Sequence, residues 1–193
     1  MKKMLLLASC AVLALAACQK RSDTVAASDA AAAPASDTAA VSSAAAAPAA
    51  PSAADFVTKA AASDMYEIQA AKIAQQRSKT PDVVAFAKMM ITDHTKSTAM
   101  VKKAIADSGR TDLMPPADLP ADKKAMIDAL NSASAADFDK TYLDQQTMAH
   151  QDALMLMTAE SQSGDVAQLK EAASQILPVV QMHLDMLGKI APK

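Results

Sequence analysis

The chain has 193 residues, 19 basic and 21 acidic side chains and a formal charge of −2, and half of it is hydrophobic. Aromatic content is 3% and tryptophan is absent, a profile that suits close-packed helices and excludes a sheet rich in aromatic and β-branched residues. No basic patch interleaved with aromatics occurs, which excludes a nucleic-acid partner.

At the amino end, Lys2 and Lys3 precede an apolar run from Met4 to Ala17, which stops at Cys18. A spanning helix needs about 20 apolar residues, so this run reads as the core of a secretory signal. Leu15-Ala16-Ala17-Cys18 resembles the lipobox of bacterial lipoproteins. That resemblance implies cleavage before Cys18, diacylation of its thiol and acylation of its new amine. Leu7-Ala8-Ser9-Cys10 fits the same motif, but too few apolar residues precede it. Two or more acyl chains anchor a protein stably where one does not. Gln19 in place of Asp implies, by the same family rule, the outer membrane of a double-membraned envelope. The lipidated chain would carry 17 basic residues (19 minus Lys2 and Lys3) against 21 acidic ones, a charge of −4, and no disulfide.

Residues 18–54 follow as a lipidated cysteine and an Ala/Ser/Pro/Asp/Thr spacer interrupted by Pro34, Pro48 and Pro51. Nothing in it is large and apolar enough to bury, so it reads as a flexible tether. Its coil dimensions, about 5–6 Å × √n, give a reach on the order of 30–35 Å.

From residue 55 to 193 the pattern is all-α. The first helix is expected from Asp55 to Ser78, capped by Ser52 or Asp55. It shows a stripe of Ala60, Ala70, Ala71 and Ala74 around Glu67. The second starts at Thr80-Pro81, where proline's missing N–H costs nothing, and ends near Gly109. Pro115, Pro116 and Pro120 mark a loop, then a short helix spans about Ala121–Asn131. The third long helix begins at Ser134-Ala-Ala-Asp137, a capping-box spacing, and runs to Gly164. The fourth runs from Asp165 to about Ile190, with an expected kink at Pro178. Residues spaced i, i+3, i+4 define the apolar faces. They are Val83, Ala87, Met90, Ile91, His94, Val101 and Ile105 on the second helix, and Leu143, His150, Leu154 and Met157 on the third. The fourth presents Ile176, Val179, Val180, His183, Met186, Leu187 and Ile190. The expected fold is an antiparallel four-helix bundle with an extra short helix.

The chain's three histidines, His94, His150 and His183, fall on the apolar faces of three different long helices, and Glu67 lies on the fourth. Three imidazoles and a carboxylate suit Zn, Fe, Ni or Cu, and a buried Glu67 anion calls for a cation or His⁺ beside it. At 1.5 Å rise per residue, Glu67 and His94 stand within roughly 3 Å in height about their turn. His150 and His183, counted from Gly164, differ by about 7–8 Å. Ring nitrogens more than about 7 Å apart could not share an ion whose bonds are near 2.0–2.1 Å. Asp93 points about 100° away from His94, which suits support of a ligand better than co-ligation. The methionines, with Met182 and Met186 beside His183, read as adaptable core filler and secondarily as soft ligands for Cu(I). Tyr66 and Tyr142 are expected to pack with hydroxyls toward solvent or a core partner.

Phe56-Val57-Thr58-Lys59-Ala60-Ala61, Glu67, Val84-Ala85-Phe86-Ala87-Lys88-Met89-Met90 and Asp93-His94 resemble the bacterial domain-of-unknown-function family 4142. So do Phe138-Asp139-Lys140-Thr141-Tyr142, His150 and Leu177-Pro178 through His183-Leu184. The resemblance implies a ferritin-like bundle exported to the envelope and supplies no activity. Ferritin-like di-iron sites use two Glu-x-x-His motifs. Here Ile91, Thr147 and Val180 stand three before the histidines, so a single His-rich ion fits better than a di-iron pair. The expectation is an envelope lipoprotein, lipid-anchored in the membrane, binding one transition metal for sequestration or stress protection. A metal-free module recognising an envelope protein is the second reading, and a redox enzyme with an open coordination position the third.

Overall fold

The computed structural model describes Ala49 and residues 51–190. The signal, the lipobox with Cys18 and nearly all of the spacer therefore lie outside the described residues. Five helices follow: α1 (Ala53–Arg77), α2 (Pro81–Ser108), α3 (Ala121–Ser132), α4 (Phe138–Ser163) and α5 (Ala167–Ile190). No strand occurs among the described residues, and no helix there is long and apolar enough to cross a membrane.

The ends of the helices follow from local chemistry. Ser52 caps α1, its Oγ accepting from the Asp55 amide at 3.1 Å and donating to the Asp55 carboxylate at 2.7 Å. The helix therefore begins two residues ahead of the expected Asp55. Thr80 sits at the N-cap of α2 with Pro81 at its first position. Its hydroxyl makes no cap and instead donates to Asp139 at the start of α4, 2.5 Å away. Gly109 ends α2 with φ 68°, the left-handed conformation that glycine adopts without a Cβ penalty. Ser134 and Asp137 bond each other reciprocally, but as a turn ahead of the helix, which starts at Phe138. The helix α5 continues through Pro178. Pro178, which offers no N–H to the Ser174 carbonyl one turn back, lies with Ser174 on the exposed face of the helix.

Short turns make α1–α2 and α4–α5 two antiparallel hairpins, and α2 packs on α5 while α1 packs on α4. The apolar clusters fix the direction of the second pair of seams. Ala53, Phe56 and Val57 at the start of α1 cluster with Ala153 and Met157 late in α4, and Val83 and Phe86 early in α2 cluster with Leu187 at the end of α5. All four neighbouring pairs run antiparallel, so α2 and α4 point the same way at opposite corners. The connection between them must travel the length of the bundle, the single long crossover of ferritin-like bundles. Within that crossover α3 lies against α1 and α4. Arg77 holds it there, donating to the carbonyls of Leu130, Asn131 (3.0 Å) and Ala133 (2.6 Å), with its guanidinium 4.6 Å from the centre of the Phe138 ring.

Two apolar clusters fill the interior, one around Phe56, Val101, Leu169 and Ile176 and the other around Phe86, Met90, Tyr142 and Leu187. The alanine stripe of α1 is fully buried, which brings neighbouring helices close. Between the clusters lies a polar layer containing Asp64, Glu67, His94, His150 and His183, all buried.

Candidate metal centre

The three histidines meet. Their rings lie 5.5 Å (His94–His150), 5.7 Å (His94–His183) and 5.2 Å (His150–His183) apart, centre to centre. One nitrogen of each lies within 4.8 Å of the other two, inside the 7 Å bound beyond which no ion could be shared. The height mismatch expected between His150 and His183 shrinks because the pivot of the turn is not Gly164. His150 stands 13 residues before the end of α4 and His183 stands 16 after the start of α5, a difference of about 4.5 Å. Side-chain reach covers the rest, and His150 Nε2 comes to 3.1 Å from His183 Nδ1.

Each ring is held from outside by a group that can only accept. His94 Nδ1 lies 2.8 Å from Asp64 Oδ1, and Thr98 donates to the other oxygen of that carboxylate at 3.0 Å. His150 Nδ1 lies 2.8 Å from the main-chain carbonyl of Gln146, one turn back. His183 Nε2 lies 3.2 Å from Asp93 Oδ2, whose partner oxygen receives Lys96 at 3.2 Å. Carboxylates and carbonyls accept and do not donate, so all three rings turn N–H outward. His94 Nε2, His150 Nε2 and His183 Nδ1 then face inward as bare lone pairs. His94 Nε2 is buried without a protein partner. Two lone pairs facing each other at 3.1 Å repel unless a cation lies with them. Histidine ligands held through the opposite nitrogen by a carboxylate or carbonyl are the usual support of metal sites.

Phe86, two turns before His94 on α2, walls the trio, its ring 6.2 Å from His183 and 6.5 Å from His150. Glu67 comes close without joining the inward face. Its Oε1 stands 3.7 Å from His150 Nδ1, the outward nitrogen, and neither oxygen has a hydrogen-bond partner. The side-chain amide of Gln146 and the Tyr142 hydroxyl beside it are likewise unpartnered. Tyr66, by contrast, donates to Gln145 at 2.8 Å.

The electrostatics follow this layout. Burial pushes the Glu67 carboxyl up to about 7, against the pull of His94. Burial, with the charges of His94 and then His183, pushes His150 down to about 3. Burial also depresses His183, to about 4, although Asp93 opposes it. Burial works against a charge on His94 too, but the Asp64 hydrogen bond and the nearby Glu67, Asp64 and Asp93 carboxylates outweigh it and raise its pKa. A proton taken up by the trio goes to His94, on the inward Nε2 that is otherwise a bare lone pair.

Of the four residues singled out from sequence, three converge and Glu67 stands behind one of them. Asp93 supports His183 as its angle around α2 suggests. Asp64 and the Gln146 carbonyl are not evident from the spacing of histidines. Asp64 had a signal nonetheless: it lies 13 residues before the end of α1, and His94 lies 13 after the start of α2. Equal counts place them at one height.

Fold and site together define a class: a helical bundle with one long crossover and a buried three-histidine centre. Residues 38–190 match the family described as "Domain of unknown function (DUF4142)", and the chain belongs to that family. Among solved structures, a DUF305 fragment from Deinococcus radiodurans superposes with a TM-score of 0.62 at 14% identity, covering 75% of this chain and 97% of that one. That likeness shows the fold. No curated protein matches the chain.

Proposed function

We propose that the bundle binds a single transition-metal ion between His94, His150 and His183, and that the chain does so as a lipoprotein held in the cell envelope through Cys18. The observation that carries the reading is the set of three inward lone pairs, fixed by three outward acceptors, within 4.8 Å of one another. Two nitrogens bound to a tetrahedral ion stand about 3.3 Å apart, given bonds of 2.0–2.1 Å. The nitrogens, within 4.8 Å of one another, would draw in by up to about 1.5 Å to take an ion. Asp64 and Asp93 supply countercharge behind two ligands, which lowers the cost of placing a cation in a buried layer. Sequestration is the role that fits a site walled by Phe86 whose three rings are buried. Glu67, the fourth sequence candidate, acts in this reading as a buried group behind His150 rather than as a direct ligand.

Elemental analysis of the full chain tests the proposal. The expected result is one ion per chain, lost in His150→Ala. A metal-free chain whose thermal midpoint does not move when Zn, Ni or Cu is added would sink it, because an ion at 100 times its Kd stabilises by about 2.7 kcal/mol. The anchor is tested separately, by mass spectrometry of the native amino terminus.

A further inference from the structure

A cation bound by the trio has to get there. His150 and His183 are each 1% exposed and His94 is 7% exposed. Behind His94 the Asp64 side chain is 6% exposed, and behind His150 stand the main-chain carbonyl of Gln146 and the Glu67 carboxyl, whose side chain is 1% exposed. Asp93 differs. It is 16% exposed, it lies on α2 beside the α2–α5 seam, and it touches His183 with one oxygen while the other holds the exposed Lys96 ammonium. Of the three groups that hold the rings from outside, it alone reaches water appreciably. His183 in turn offers Nε2 to Asp93 and Nδ1 to His150, so a single ring spans the distance between surface and interior.

We propose, on the reading that the trio binds a metal ion, that Asp93 is the port of entry. An arriving cation displaces the Lys96 ammonium from the Asp93 carboxylate, passes to His183 as that ring swings, and is captured by the trio. Asp93 acts here as a positioning residue for loading, and Lys96 acts as a latch occupying its place with a tethered positive charge. An anion at the rim raises the local concentration of cations and their association rate, an effect that salt screens.

The test is stopped-flow loading of the metal-free full chain with Co(II), followed by the visible absorption of the bound ion at low and high salt. Asp93→Asn is expected to slow association on the order of tenfold and to flatten its salt dependence, with a smaller change in dissociation. Lys96→Ala, a substitution at an exposed side chain, is expected to load faster than the parent. Asp64→Asn is expected to act mainly on dissociation. Parental loading rates in both Asp93→Asn and Lys96→Ala would overturn the port. So would slowed loading in Ser63→Trp, which narrows the groove of about 700 Å³ between α1 and α4, with Asp93→Asn unaffected. Failure of the parent chain to bind Co(II) would instead overturn the metal site itself.

Discussion

Glu67 shows what a single buried side chain does to a bundle of this size. Its carboxyl is buried without a partner, and burial raises it from 4.5 to about 7. In the unfolded chain it ionises near its ordinary value, so the folded state binds the extra proton between those two points. Its contribution to stability is fully present below about pH 4.5 and is lost as pH rises through about 7, a swing on the order of 3 kcal/mol. Metal-free Glu67→Gln, which cannot ionise, is therefore expected to gain on the parent steadily between those pH values in urea titrations. A difference flat with pH would refute this. Protons compete with the ion as well. His94, whose pKa is raised, is the ring that carries a proton where His150 and His183, depressed to about 3 and 4, do not, so an ion entering the trio displaces that proton. Affinity should therefore fall as pH drops and His94 takes up its proton, readable by competition titration. The histidines were legible in the sequence because imidazole is out of place in an apolar stripe. Asp64 was not, because an acid on an alanine-rich helix reads as a solvated face until its height is matched to His94. Gln146 acts through its main chain, which no side-chain identity encodes.

Among the helices, caps and breakers made the boundaries readable: Pro81, Gly109 and Ser52 each do locally what their chemistry dictates, wherever the rest of the chain packs. The registry of α4 against α5 was less readable, since it depends on where the turn pivots, and Gly164 was only its edge. Gly164, just past the end of α4, and Gly188, in the last turn of α5, separate steric from conformational effects. A methyl at Gly164 would run into the Glu160 side chain and its carbonyl, whereas at Gly188 it would meet open space. Gly164→Ala should cost about 1–3 kcal/mol through overpacking, and Gly188→Ala should gain roughly 0.5–1 kcal/mol, both measured by denaturant midpoint. Arg77, which the sequence pattern did not flag, fixes the crossover by a planar fork that reaches three carbonyls. Lysine keeps the charge and loses the fork. Arg77→Lys is expected to destabilise by about 1–3 kcal/mol and to expose α3 amides to hydrogen exchange before those of the long helices. Equal protection in parent and variant would contradict the clamp.

For the molecule as a whole, the proposed lipid on Cys18 decides where the bundle works. Cys18→Ala should shift the protein from the detergent to the aqueous phase on partitioning, since only acyl chains would hold a chain of this charge at a bilayer. Unchanged partitioning would remove the anchor from the picture. The path of the chain has a further consequence. His94 belongs to the first hairpin, His150 and His183 to the second, and the two are tied covalently only by the crossover, whose Met114 is 76% exposed. An ion at the centre would therefore rivet two halves that a protease could sever. A chain nicked near residue 114 should fall apart far faster when stripped of its ion than when loaded, the coordination bonds standing in for the cut peptide link.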